Sequence, residues 1–219
     1  MTLGVLFDLD GTLVTFNFDV QGSRKALFAE LTKLGFDMSN LSLTSPTQNV
    51  IDAARSQAET GRAKIDFGRV RERLFSILDG FELDSGRSVT AFPEAKETLA
   101  NLRGFAKLGV LTNSGRKAAS RILGRSSLLG YFDFVLTRDD VDAMKPSPEG
   151  VNKAVAMFAL PKEKVVYVGD GLLDIIAAKA AGLKVISVAT GNYTVEKLKS
   201  EGADVVLGSL SELPKALTA

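Results

Sequence analysis

Short apolar runs alternate with helix-period stretches along most of this chain, and that rhythm leaves few folds open. From residue 89 onward the runs are Leu108–Leu111, Phe134–Leu136, Val165–Val168, Lys184–Val188 and Ala203–Leu207. Each is too short for a stable helix and is apolar nearly throughout, where a strand with one wet face would alternate. Strands buried on both faces belong to parallel sheets, whose crossovers place helices on either side. The intervening segments supply those helices: Pro93–Leu102, one ending near Gly124, Pro148–Phe158, and one ending near Ala181 with Gly182 as its cap. Leu3–Phe7, apolar apart from Gly4, is a further strand of the same kind. The expected fold class is α/β, a doubly wound, Rossmann-like parallel sheet.

One stretch breaks the rhythm. Residues 15–88 show helical spacing only, with Leu27, Phe28, Leu31 and Leu34 on one stripe and Val50, Ile51, Ala54 and Ala58 on a second. A third stripe is Phe67, Val70, Leu74, Ile77 and Leu78, with Asp66 placed to cap its helix. Leu41–Thr47 is rich in Ser, Thr and Pro and reads as a loop. The division expected is a core domain of residues 1–14 and 89–219, with an all-helical cap domain of residues 15–88 inserted after the first strand. Val14–Phe18 and Gly86–Phe92 would be its hinges.

Composition removes whole classes of chemistry. The 219 residues include no Cys and no His, so thiolate metal sites, disulfides, His–Zn centres and Ser-His triads are excluded. Proton transfer must come from carboxylates, Lys, Tyr, the N-terminus or metal-bound water. Lys and Arg number 27 against 26 Asp and Glu, which gives no broad field for nucleic acid or an anionic membrane. No apolar stretch approaches a membrane span and no secretory leader pattern opens the chain, so a cytoplasmic location is expected.

The first strand stops at Asp8-Leu9-Asp10-Gly11-Thr12. Period two puts Asp8 and Asp10 on the same side of an extended chain. Two carboxylates that close need a cation, a shared proton or water between them, and Mg²⁺ suits a few hard oxygens. Gly11 would let the backbone turn and offer N–H groups to an anion. The same residues also suit a strand ending in a polar turn whose acids cap a helix. In a parallel sheet, however, sites form beyond the carboxyl ends of the strands. Other strand ends here carry Thr112 with Asn113, Lys145 in a Lys-Pro turn, and Asp170 with Asp174. In a doubly wound sheet these groups converge.

As a set and in this order, the motifs resemble the haloacid dehalogenase-like hydrolases. Asp8-Leu9-Asp10-Gly11-Thr12 is similar to their first signature, Leu111-Thr112-Asn113 to the second, Lys145-Pro146 to the third, and Gly169-Asp170 with Asp174 to the fourth. The helical insert and Phe92-Pro93 fit the phosphoglycolate phosphatase and phosphoglucomutase branch. The resemblance implies that Asp8 is a nucleophile forming an aspartyl-phosphate, and that Asp10 is the general acid and then base. It implies that Thr112 and Lys145 hold phosphoryl oxygens beside Gly11 and Asn113. Mg²⁺ would lie on Asp8, Asp170 and the backbone carbonyl of Asp10, with Asp174 supporting a metal water or orienting Lys145. One departure is Gly171, where this branch often has Ser.

The resulting expectation is a Mg²⁺-dependent phosphatase acting on a small phosphorylated metabolite, with 2-phosphoglycolate as the first candidate. A phosphomutase would reuse Asp8, and a regulatory module would keep the fold without turnover. A dehalogenase would lack the acid two residues beyond the nucleophile. Specificity is expected from the cap, where Arg55, Arg62 or Lys64 would meet a substrate carboxylate. The cap would close to exclude water during transfer.

Overall fold

The computed structural model describes residues 2–218. It contains a six-stranded sheet in the order β3-β2-β1-β4-β5-β6. The strands are β1 (Leu3–Phe7), β2 (Ala106–Leu111), β3 (Phe134–Leu136), β4 (Val165–Gly169), β5 (Lys184–Val188) and β6 (Val205–Leu207). Every pairing is parallel, with Leu3 opposite Ala106 and Gly4 opposite Val165 on the two sides of β1.

Period two along each strand divides the core between two faces. Val5, Phe7, Leu108, Val110, Val168 and Ile186 belong to one buried cluster, joined by Leu99, Ile122 and Leu213. These last three come from α4 (Ala95–Leu102), α5 (Arg116–Arg125) and α9 (Leu213–Thr218). Leu6, Leu111, Tyr167 and Val185 belong to the other cluster, with Val151, Phe158, Ile175 and Leu198. Those come from α6 (Glu149–Phe158), α7 (Leu172–Ala180) and α8 (Val195–Ser200). The sheet is therefore covered on both sides, as continuous apolar strands require.

The chain divides into two compact units, one formed by the chain up to Phe16 and from Ser88 onward, the other Asn17–Arg87. The second unit holds α1 (Val20–Lys33), α2 (Thr47–Glu59) and α3 (Phe67–Ser85). Its interior is Leu27, Leu31, Val50, Ile51, Ala54, Val70, Leu74 and Leu78. Asp19 caps α1 by accepting from Gly22 N, and Asp66 caps α3 by accepting from Arg69 N. Helix α3 runs past the expected end at Leu78 to Ser85, because Glu82, polar in sequence, is buried at 8% exposure and continues the inner stripe. Arg55 lies over the Phe67 ring, 4.9 Å from its centroid. Within the sheet unit, Val14 bridges Ala91 in antiparallel fashion, and Thr15 N donates to Thr90 O at 2.8 Å. The outgoing and returning chain thus run side by side.

Candidate active site

The strand order reverses between β1 and β4, and a crevice forms beyond the carboxyl ends at such a point. Asp8 extends β1 by donating its N–H to Val168 O at 2.8 Å, which fixes its height beside the end of β4. Gly11 then turns the chain with φ +88°, in the left-handed region that suits glycine. A Cβ at Gly11 would also overlap the Asp170 carboxylate, as would one at Gly191. Two glycines therefore keep a cradle open around that acid.

Asp8, Asp170 and Asp174 are all buried, and each offers a carboxylate oxygen within 4.8 Å of the others. Lys145 enters this group from the loop before α6. Its Nζ donates to Asp8 Oδ1 at 2.7 Å, to Asp174 Oδ1 at 2.6 Å and to Tyr167 OH at 3.2 Å. Asn113 holds the Lys145 backbone from both sides, donating to its carbonyl and accepting from its N–H, each at 3.0 Å. Asp174 Oδ2 accepts from Gly171 N at 3.0 Å, which anchors the start of α7 as well as Lys145.

The Asp10 carboxylate lies apart from this group. Its Oδ2 accepts from Ser114 Oγ at 2.7 Å and from Thr112 Oγ1 at 3.3 Å. Two acids two residues apart in sequence thus have different surroundings: an ammonium for Asp8 and hydroxyls for Asp10.

Burial raises the Asp10 carboxyl above its usual range, against the hydrogen bond from Ser114 and the charge of Lys145. Asp8 is raised well above its usual range by burial and by Asp174, despite Lys145. Asp170 is pushed up to about 7 by burial and Asp174, although the Thr12 hydroxyl donates to its Oδ1 at 3.0 Å. Burial alone would lower the Lys145 ammonium, but the charges of Asp174 and Asp8 outweigh it and raise it well above its usual value. Several acids against one ammonium leave this pocket short of positive charge. A hard divalent cation fits the deficit: the donors are carboxylate oxygens, the ligand type that Mg²⁺ prefers, around an acid whose surroundings are kept clear by glycine.

The structure brings Asp8, Lys145, Asp170 and Asp174 to one place, and Asp10 with Thr112 to its edge, while Asn113 acts on the backbone of Lys145. Residues that the sequence did not single out also take part. Tyr167 donates to Asp174 Oδ1 at 2.9 Å, Ser114 holds Asp10, and Thr190 Oγ1 donates to Gly11 O at 2.6 Å. Arg138 is fully buried, and its Nη1 donates to Asn113 O at 3.3 Å. Tyr167 is hidden in sequence because it sits in an apolar strand, where an aromatic residue reads as core.

Residues 5–188 match the family model described as haloacid dehalogenase-like hydrolase. A phosphoglycolate phosphatase of Caulobacter vibrioides is 30% identical over 97% of this chain and 89% of its own. A pyrophosphatase PpaX of Bacillus mycoides is 29% identical over 95% of this chain and 94% of its own. A solved hydrolase from Pseudomonas syringae superposes with a TM-score of 0.66 at 22% identity, covering 99% of this chain and 98% of that one. The fold, the motif order and these matches agree: the chain belongs to the haloacid dehalogenase-like hydrolase family, in its phosphoglycolate phosphatase-like branch.

Proposed function

We propose that this chain hydrolyses a small phosphorylated metabolite, with 2-phosphoglycolate the first candidate, through a phosphoryl group carried on Asp8. What supports the reading is the division within the acid pair: Asp8 lies 2.7 Å from the Lys145 ammonium, while Asp10 rests on the hydroxyls of Ser114 and Thr112. A nucleophile must be an anion; Lys145 favours that form of Asp8 against the burial and the Asp174 charge that raise it well above its usual range, and Mg²⁺ would act in the same direction as Lys145. A general acid must hold a proton, and the buried, hydroxyl-lined position of Asp10 raises its pKa toward that task.

In the first step an Asp8 oxygen bonds to phosphorus and the bond from phosphorus to the leaving oxygen breaks. Asp10 gives its proton to that oxygen. In the second step water attacks the aspartyl-phosphate and Asp10 takes up the proton, which releases phosphate and restores both acids. Lys145 turns from Asp8 toward the phosphoryl oxygens as their charge grows, and Thr112 adds a neutral donor. Asp8, Asp170 and the Asp10 backbone carbonyl would hold Mg²⁺, with Asp174 keeping Lys145 in place. When bound, Mg²⁺ supplies the positive charge that lets an anionic nucleophile approach an anionic phosphate. In this reading the helical segment 15–88 serves as the cap that selects the substrate.

The test is phosphate release from 2-phosphoglycolate and p-nitrophenyl phosphate with Mg²⁺, for the wild type and Asp8→Asn. Removing a covalent nucleophile is expected to lower turnover by on the order of 10⁴ or more. Release retained by Asp8→Asn within a few-fold would overturn the mechanism.

A further inference from the structure

Behind the acids of the sheet unit lies a guanidinium buried as completely as the apolar core. Arg138 is 0% exposed and is one of the largest fully buried side chains. It follows β3 and opens a single 3₁₀ turn, Arg138–Asp140. A group that is always charged is costly to bury unless its donors are used. Here they are used on the loop that follows β2. Arg138 Nη1 donates to Asn113 O at 3.3 Å, and the Arg138 backbone N–H donates to Ser114 O, also at 3.3 Å. The same turn holds the start of α5. Asp139 Oδ2 accepts from Arg116 N at 2.7 Å, and Asp140 Oδ1 accepts from Arg116 Nη2 at 2.6 Å.

The loop gripped in this way, residues 112–114, sends its side chains to the site. Ser114 Oγ and Thr112 Oγ1 donate to Asp10 Oδ2, at 2.7 and 3.3 Å. Ser114 N donates to Thr112 Oγ1 at 3.0 Å, so the two hydroxyls depend on one backbone conformation. Asn113, between them, bonds the carbonyl and the N–H of Lys145. The two carbonyls that Arg138 engages therefore belong to the residues whose side chains meet Lys145 and Asp10. A displacement of about 1 Å in such a support can cost about 100-fold in rate.

We propose that Arg138 is a positioning residue for the reaction: it fixes the 112–114 loop from behind, so that Ser114 and Thr112 seat the Asp10 carboxyl and Asn113 seats Lys145. Its effect on turnover rests on the phosphatase reading; its hold on the loop does not. Lysine is a poor replacement, because an ammonium on a flexible stem lacks the rigid planar fork. The consequence for turnover is selective. Asp10 gives its proton to the leaving oxygen, and p-nitrophenolate departs with far less help than the alkoxide of an alkyl phosphate. A misplaced Asp10 therefore harms the alkyl ester more.

The test uses the whole chain as wild type, Arg138→Met and Arg138→Lys. Amide hydrogen exchange is followed by NMR at Ser114 and Lys145, whose N–H groups donate to Thr112 Oγ1 and Asn113 Oδ1. Leu6 and Val168, in the paired strands β1 and β4, serve as controls. Both substitutions are expected to speed exchange at Ser114 and Lys145 by about tenfold or more, as local opening does, and to leave the strand amides slow. Exchange at Ser114 and Lys145 that is unchanged, or that rises in step with Leu6 and Val168, assigns Arg138 to packing and overturns the proposal. Failure of both variants to fold overturns it as well. The kcat/KM is then measured with Mg²⁺ on an alkyl phosphate, 2-phosphoglycolate first, and on p-nitrophenyl phosphate. In Arg138→Met it should fall about 100-fold on the alkyl ester and less than about tenfold on the aryl ester. Equal losses on the two esters overturn the action through Asp10. A wild type that releases no phosphate fails the phosphatase reading, and with it the effect on turnover, while the exchange arm still decides the hold on the loop.

Discussion

Asp170 has a carboxyl pushed up to about 7 by burial and Asp174, and that value carries two consequences. A carboxylate raised on folding stabilises the folded state below its ordinary value of 3.8, and this contribution is lost as pH climbs through about 7. The metal-free wild type should therefore lose stability relative to Asp170→Asn between pH 4 and pH 8, measured by urea midpoints. Equal pH dependence for the two proteins would contradict the assignment. On the proposed Mg²⁺ reading, the Asp170 proton and any proton on Asp8 must leave before the ion binds, so affinity should fall at least about tenfold per pH unit below pH 7. Calorimetry in buffers of different ionisation heat should show about one proton or more released per ion at pH 6. Tyr167 has a smaller part. Its hydroxyl joins Lys145 Nζ, at 3.2 Å, to Asp174 Oδ1, at 2.9 Å. Tyr167→Phe keeps the buried ring and removes that link, so turnover should fall by about tenfold with little change in Tm. A fall as deep as that of Asp8→Asn would mean that Tyr167 touches the reacting atoms.

Among elements, the strands were legible because a parallel strand buried on both faces has almost no polar positions to confuse its period. In β2 one such position hides the boundary, whereas β5 keeps its expected bounds with Lys184 and Ser187 inside them. The sequence suggests that β2 starts at Leu108, yet it starts at Ala106, because Lys107 breaks the apolar run while its Nζ reaches Phe158 O at 2.9 Å. The acids at strand ends were equally legible, since charge at the end of an apolar run has few explanations. Tyr167, Ser114, Thr190 and Arg138 were not, because their roles depend on which loop or helix lies opposite, and nothing local in sequence reports that. Packing between elements shows the same dependence. Gly109 in β2 looks like a weak strand residue, but a Cβ there would overlap the Phe134 ring on β3. That ring is itself wedged edge-on to Phe158 of α6, with centroids 4.8 Å apart. Gly109→Ala should destabilise the protein by about 1–3 kcal/mol, because neither ring can move away freely. Chemical denaturation would check this, and an unchanged midpoint would show that the Phe134 ring can retreat.

At the scale of the molecule, the question is whether the sheet unit contains all that the chemistry needs. Asp8, Asp10, Thr112, Lys145, Asp170 and Asp174 all belong to it, as do both apolar clusters that cover the sheet. Its chain ends at the excursion are also close to one another. Thr15 N donates to Thr90 O at 2.8 Å, Thr90 N donates to Thr15 Oγ1 at 3.2 Å, and Val14 bridges Ala91. These are the features of an antiparallel ladder, and such a ladder closes naturally through a two-residue turn of the Asn-Gly kind. Joining Phe16 to Val89 through Asn-Gly should therefore give a folded protein without α1, α2 and α3. The Leu27, Leu31, Val50, Leu74 and Leu78 interior that is lost belongs to the other unit. On the proposed reading, the shortened protein should bind Mg²⁺ within a few-fold of the wild type by calorimetry and retain slow release of phosphate from p-nitrophenyl phosphate. Its kcat/KM for 2-phosphoglycolate should drop by about 100-fold or more, the scale expected when positioning and water exclusion are removed. Equal efficiency on both substrates, before and after the excision, would leave the helical unit without a part in substrate choice. A shortened chain that fails to fold would show instead that the sheet unit depends on Asn17–Arg87 for its stability.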